Sequence, residues 1–427
     1  MDNVVLKALS ASNFAPFADK VEFTTQIDKN KKEFIENTFN IGDNTLNKVS
    51  FIYGANGSGK TFFCKILREI QRLLAWSPLT LGNNSPLLSL PMFKGLEGQI
   101  PTFTFDLAYS EQPTSFSVDI LLDAVTYHYE FSIQGKKVLY ELLTKKHRRT
   151  EILMERKSQK NKDILLKSEF KNFDSNKHTV KEEALCLAIA NALNNPLAVK
   201  IVEAINSINI LNMTAPRVQP ADAKKSFSKE RMEQYVDVLR KADPTLRSLE
   251  ASVEEENIKH SVDSDDFENR EIISTKTTVA IKTEHALYND GVEDGRKSID
   301  FFNDESLGTV KLFTVLPHLY DVLECGGVLI LDEIENGLHL SLVRDIIRLF
   351  TDPVSNPHNS QLICTTHQPL LVDGSTRRDQ VWIISKDTFG KSKINRLSEM
   401  STSRAKVNLT NRLLEGAFGC NPESFFQ

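Results

Sequence analysis

Gly54-Ala55-Asn56-Gly57-Ser58-Gly59-Lys60-Thr61 follows an apolar run, Val49 to Tyr53, and precedes a stretch of different period. There Phe63, Ile66, Leu67, Ile70 and Leu74 mark one face of a helix. The order is strand, glycine-rich loop, helix, and the loop fits G-x-x-x-x-G-K-[ST]. Glycines let the backbone wrap closely round phosphates with its N–H groups pointing inward, and the helix that follows adds its positive end. Gly54, Asn56, Gly57, Ser58, Gly59, Lys60 and Thr61 are therefore expected to bind ATP. In that reading Lys60 reaches the β- and γ-phosphates and Thr61 places its hydroxyl on Mg2+. The competing reading is an ordinary turn, and the strand before and helix after count against it.

Three further features lie downstream. Val328 to Leu331 reads as a buried strand that delivers Asp332 and Glu333 at its C-terminal end. There Asp332 is expected to hold Mg2+, directly or through water, and Glu333 to polarise the attacking water as general base. Two solvated acids closing a strand is the plainer alternative. A third apolar strand, Leu362 to Thr366, ends in His367, and a lone histidine at such a place is more often structural. Upstream of the acids, Ser306-Leu307-Gly308 opens a helical stretch, a triplet that means nothing by itself.

Taken in order, these features resemble the ABC, SMC and RecF-type ATPases rather than GTPases or RecA-like motors. The resemblance implies that His367 contacts the γ-phosphate. It implies too that Ser306 and Gly308 form the signature that binds the γ-phosphate of ATP held by an opposite subunit, through amides and a helix N-terminus. A paired head, at least a homodimer, follows from that arrangement.

Outward from the motifs, the expected fold is α/β. It is an ABC-type P-loop ATPase head, with a parallel core sheet and an antiparallel β-meander, carrying a compact helical insertion. Phe103 to Tyr109, Phe116 to Leu122 and Tyr127 to Ile133 each alternate, as half-solvated strands do. Ala184 to Leu193, Ala198 to Ile208 and the face Met232, Tyr235, Val236, Leu239 read as helices, with no sustained heptad. The α/β pattern is expected to resume after Ile272. The division is an N-terminal lobe over 1–150, a helical insertion over 151–270 and a C-terminal lobe over 271–427.

Composition sets the outer limits. The 427 residues are 40% hydrophobic and 26% charged, ordinary for a soluble globular chain. No apolar run approaches membrane-spanning length, and MDNVVLKALS does not read as a secretory signal. Five scattered cysteines lack metal-ligand spacing, which points to a reducing compartment and a cytoplasmic location. A net charge of −5 rules out bulk electrostatic capture by nucleic acid or anionic lipid. Locally, 136–162 carries ten basic residues against three acidic ones. This is either a solvated surface or a non-specific nucleic-acid contact through Lys145, Lys146, Arg148 and Arg149. Glu254 to Glu271 is acidic and polar, and reads as a solvated surface or loose loop.

Over nearly its whole length the chain resembles the compact bacterial ATPases of the RloA/AbiLi type. Beyond the nucleotide motifs, the likeness rests on Asn13-Phe14 with Pro16-Phe17, Tyr127 to Phe131 with Tyr140 to Leu143, and Asp332 to His339. Arg378 to Trp382 with Lys386-Asp387, and Gly416 to Pro422, extend it to the C-terminal part. Leu307 and Leu340 depart from the family pattern, which favours an acidic or small residue at the first and proline at the second. The resemblance implies a sensor or regulator of anti-phage defence that works with a separately encoded effector, a nuclease or toxin; Septu and PARIS ATPases are cousins. A chain ending at Gln427 leaves no room for a fused TOPRIM nuclease in this reading. Two alternatives stand beside it: a RecF-like DNA-repair ATPase, and a low-turnover ATP-binding scaffold.

Overall fold

The computed structural model describes residues 4–28, 33–81, 98–157, 163–214, 227–264, 267–372, 375–400 and 409–415. Lys160, Lys162 and the stretch Gly416 to Pro422 lie outside the described residues. The chain divides into two compact units, the first comprising Met1–Ile210, Val322–Ile334 and Val343–Gln427, the second Leu211–Asp321 and Glu335–Leu342.

The first unit opens with β1 (Val5–Ser12) and β2 (Val21–Thr24), then a small hairpin of β3 (Thr38–Ile41) and β4 (Asn44–Asn47). β5 (Val49–Gly54) leads through the glycine loop into α1 (Lys60–Trp76). β6 (Thr114–Leu122), β7 (Val125–Gln134), β8 (Lys137–Lys146), β9 (Thr150–Arg156) and β10 (Ile164–Leu166) follow. They form one antiparallel sheet in the order β10-β9-β8-β7-β6-β1-β2. Along β6 the burial alternates, so Phe116, Val118 and Ile120 face the core while Ser115, Ser117 and Asp119 face outward. The helices α2 (Cys186–Ala192) and α3 (Pro196–Asn206) complete this part, and β11 (Asn209–Asn212) follows them along the chain.

The second unit begins with α4 (Lys229–Ala242), whose Met232, Tyr235, Val236 and Leu239 are all buried as their spacing predicts. Next comes a sheet of β12 (Leu246–Ser264), β13 (Phe267–Asn289) and β14 (Val292–Asp300), with β13 in the middle. α5 (Phe301–Asp304) and the long α6 (Leu307–Cys325) close it, with Phe313 packed against the rings of Phe301 (4.8 Å) and Tyr235 (5.8 Å).

The chain then returns to the first unit with β15 (Val328–Asp332), followed by α7 (Leu340–Thr351), β16 (Gln361–Thr366), β17 (Val381–Lys386) and β18 (Ser392–Arg396). A last short helix, α8, covers Leu409–Leu414. The core sheet runs β15-β16-β5-β17-β18, parallel until β18, which is antiparallel to β17. β5, β15 and β16 are buried at every residue, which is why they read as unbroken apolar runs. Phe63, Ile66, Leu67 and Ile70 of α1 join one hydrophobic core with strand residues of both sheets. The architecture is α/β, with a largely parallel core sheet and a second, antiparallel sheet.

Two local expectations differ from the structure. Phe103 to Tyr109 is not a strand: Asp106 Oδ1 accepts from the Ala108 amide (2.9 Å) and caps a 3-10 turn at Leu107–Tyr109. Phe105 and Leu107 are 71% and 88% exposed, so no buried face rewards the alternation. Between 151 and 270, helices α2 to α4 share the chain with most of β9, with β10, β11 and β12, and with the start of β13. The acidic stretch belongs to the β12–β13 hairpin, which continues past Ile272 to Asn289. β-Branched residues such as Val279, Ile281 and Thr283 favour that ladder, and the sequence of both strands holds no Gly or Pro.

Candidate functional site

The parallel registers bring three motifs to one sheet edge. Leu331 pairs with Cys364, Cys364 with Phe51 and Thr366 with Tyr53. Asp332 therefore stands level with Thr365, and His367 with Gly54, where the loop begins. The loop, both acids and the histidine all leave the C-terminal ends of neighbouring strands, where open α/β sheets bind ligands.

The phosphate loop is braced from outside. Gly59 has φ +116, and a Cβ there would meet Pro16 Cγ at 3.1 Å and Ser392 Oγ at 3.2 Å. Ser392 in turn donates from Oγ to the Ser58 carbonyl (2.6 Å) and from its amide to the Pro16 carbonyl (2.8 Å). The opening turn, with Phe14 and Phe17 wholly buried, thus acts as a wall of the loop. Lys60 is 5% exposed and donates to the carbonyls of Gly54 (2.8 Å) and Ala55 (2.9 Å). No side chain caps α1, so its first amides are not taken up by a capping side chain.

These residues fit a polyphosphate with its Mg2+. Ser58 Oγ is buried with no hydrogen-bond partner among the described residues, although it lines the loop. At Gly57 (φ +76) no atom of the described residues lies within 4 Å of where a Cβ would be.

Asp332 is 2% exposed and accepts from Thr365 Oγ1 at 2.7 Å, while the same oxygen accepts from the Glu333 amide at 2.7 Å. Glu333 has φ 57, left-handed for a residue with a side chain. Such strain costs on the order of 1–3 kcal/mol and gathers at functional positions. His367 is exposed at the end of β16. Thr365 and Ser392 were not singled out by the sequence; a threonine inside an apolar strand and a serine opening one carry no signal of their own.

Ser306 and Gly308 belong to the second unit. Ser306 precedes α6 and its Oγ accepts from the Thr309 amide (3.1 Å), as an N-cap does. Lys311, one turn on and 2% exposed, donates to Asn336 through its carbonyl (3.1 Å) and Oδ1 (2.6 Å). A Cβ on Gly337 (φ +76) would meet Lys311 Cδ at 2.8 Å, and one on Gly308 would meet the Gly337 carbonyl at 3.0 Å. The segment that follows the acidic pair is thereby packed onto α6.

The basic run is only partly available. Lys145 pairs with Glu169 (2.6 Å) and Glu151 (3.5 Å), Lys137 with Glu182 (2.9 Å) and Lys157 with Glu155 (3.2 Å). Arg156 is buried and donates to the carbonyls of Ala184 and Lys181. Lys146, His147, Arg148 and Arg149 are exposed at the β8–β9 tip. Asp379 of the C-terminal segment is a buried structural partner of Arg377 (2.7 Å).

A parallel core sheet, an antiparallel sheet and a phosphate loop facing an acid-bearing strand define a P-loop ATPase. The chain belongs to the family described as "AAA domain, putative AbiEii toxin, Type IV TA system", whose profile matches residues 49–373. Comparison with curated proteins gave no match. Among solved structures, the SMC head domain from Thermotoga maritima is similar at 11% identity and TM-score 0.35, over 92% of this chain and 98% of that one. An SmcHead bound to the C-winged helix domain of ScpA is similar at 13% identity and TM-score 0.43, over 91% and 96%. Among the described residues no helix is long and apolar enough to cross a membrane.

Proposed function

We propose that this ATPase closes ATP and Mg2+ between two copies of its head, and that this closure controls a separate effector in anti-phage defence. The observation that carries the catalytic part is the shared edge: the loop that leads to Lys60, together with Asp332, Glu333 and His367, lies at the C-terminal ends of the parallel strands β5, β15 and β16. In this reading Lys60 and the amides of Gly57 to Thr61 hold the β- and γ-phosphates. Thr61 and Asp332 hold Mg2+, which when bound neutralises phosphate charge. Glu333 takes a proton from the attacking water, and His367 orients the γ-phosphate. Ser306 and Gly308 complete the site of the opposite copy.

The defence role rests on the resemblance to RloA/AbiLi ATPases and on the family description, which names a toxin of a toxin–antitoxin system. An effector, nuclease or toxin, then supplies any further chemistry. The exposed tip Lys146 to Arg149 supports a weak, non-specific nucleic-acid contact.

Glu333→Gln tests the catalytic part. Removing the base while keeping shape should lower kcat by about 10²–10⁴-fold and accumulate ATP-bound dimers in light scattering. Turnover at the parental rate would remove Glu333 from the mechanism. Phage plating on cells carrying the gene with its neighbours, against the same set with Lys60→Ala, tests the defence part; equal plaque counts contradict it.

A further inference from the structure

Glu305 stands directly before Ser306, and its side chain is only 4% exposed. Two residues of β13 hold it: Thr283 Oγ1 donates to Glu305 Oε1 at 2.6 Å, and His285 Nε2 lies 2.7 Å from the same oxygen. A carboxylate oxygen accepts, so Nε2 carries the hydrogen. Thr283 and His285 are two apart on one strand and share a face. β13 itself is held on both sides, with Thr283 paired to Leu249 and Ile299 and His285 to Leu246 and Lys297.

On the far side of the ring, His285 Nδ1 lies 2.8 Å from Thr245 Oγ1 and 3.6 Å from Asp243 Oδ2. Thr245 Oγ1 gives its one hydrogen to Asp243 Oδ1 at 2.6 Å. Asp243, His285 and Glu305 are close enough together to suggest a metal site. Yet each carboxylate already faces its own ring nitrogen, Glu305 at Nε2 and Asp243 at Nδ1, and the in-plane directions of the two nitrogens diverge. A hydrogen-bond chain, Asp243–Thr245–His285–Glu305, uses these groups better.

We propose that Thr283 and His285 are positioning residues for the signature turn. By clamping Glu305 they fix the backbone entering Ser306, so that the N-cap and first amides of α6 meet a partner's γ-phosphate in one orientation. The central strand of the β12–β14 sheet thereby becomes the support of the half-site. This rests on the reading of Ser306 and Gly308 as that half-site.

The test uses the full chain carrying Glu333→Gln, with ATP-driven pairing followed by analytical ultracentrifugation and binding of fluorescent ATP followed by anisotropy. His285→Ala, and independently the nearly isosteric Thr283→Val, should weaken pairing by about tenfold, the scale of one lost bond to a charged group. ATP binding should stay within about twofold, because the phosphate loop is untouched. Glu305→Gln keeps an oxygen for both donors and should pair like the parent, whereas Glu305→Ala should not. In the otherwise unmodified chain, His285→Ala should lower kcat and leave the KM for ATP in place. The clamp is overturned if His285→Ala and Thr283→Val pair like the parent while Ser306→Arg blocks pairing; the half-site reading then survives. It is equally overturned if both clamp variants lose ATP affinity along with pairing. If Ser306→Arg also pairs like the parent, the half-site reading falls and the clamp with it.

Discussion

Thr365 Oγ1 donates to Asp332 Oδ1 at 2.7 Å, from the neighbouring strand, and so fixes the carboxylate proposed to hold Mg2+. The same hydroxyl accepts from the Glu333 amide, which sits at φ 57. One side chain therefore orients both acids. Thr365→Val removes both bonds at nearly constant volume. It should cost about 10–100-fold in kcat, as loss of such an outer partner does at metal-bound carboxylates, while Thr365→Ser stays close to the parent. Steady-state ATPase assays decide; parental turnover in Thr365→Val contradicts the role.

Gly337→Ala should damage the protein more than Gly135→Ala. Both glycines have positive φ, but among the described residues a Cβ at Gly135 meets nothing within 4 Å, whereas one at Gly337 meets Lys311 Cδ at 2.8 Å. Gly135→Ala then carries only the backbone cost of about 1 kcal/mol. Gly337→Ala must also displace the buried Lys311 from Asn336, adding about 1–3 kcal/mol for unsatisfied groups. Calorimetric melting of the two variants compares them, and equal midpoints would argue against a packed Lys311.

His128 introduces a pH dependence. Its hydrogen bonds to Asp119 (2.5 Å) and Glu130 (3.4 Å) raise its pKa from 6.5 to about 9, against the opposing effect of burial. A raised histidine favours the charged form in the fold, so its contribution is fully present below 6.5 and is lost as pH rises through about 9. The parental melting temperature should fall across that window by more than that of His128→Gln. Parallel curves would contradict the ion pair.

Charge reversal of Lys146, Arg148 and Arg149 should abolish any nucleic-acid binding and flatten its salt dependence, by about 0.9 in slope for each lost contact to duplex phosphate. Reversal of Lys145 should do little, because Glu151 and Glu169 already pair with it. Fluorescence anisotropy at low salt measures both. Unchanged binding in the triple variant returns the tip to an ordinary solvated surface.

The parts legible in the sequence are those where one local rule decides. Val49 to Tyr53 and Val328 to Leu331 are buried on both faces, so composition alone identifies them, and Gly59 is demanded by φ +116 against Pro16. Ser306 as helix opener was likewise readable from its place before α6. The β12–β14 sheet was not, because its pairing connects residues as distant as Leu246 and His285, and the local charge pattern carries no trace of that. Phe103 to Tyr109 alternates without a partner strand to exploit it. Thr365, Ser392 and Lys311 act through long-range contacts, which no spacing rule reveals.

The central claim is that one chain's signature completes the other chain's site, and turnover by mixed variants tests it most directly. Ser306→Arg should block closure by bulk while leaving the phosphate loop able to bind nucleotide, and Lys60→Ala should remove phosphate binding while leaving the signature intact. Each pure variant should be inactive. In the mixture, some dimers join the intact loop of the Ser306→Arg chain to the intact signature of the Lys60→Ala chain, and ATPase activity should return. Parental activity in pure Ser306→Arg, or a mixture as inactive as its components under conditions where the chains exchange, would contradict the two-headed clamp.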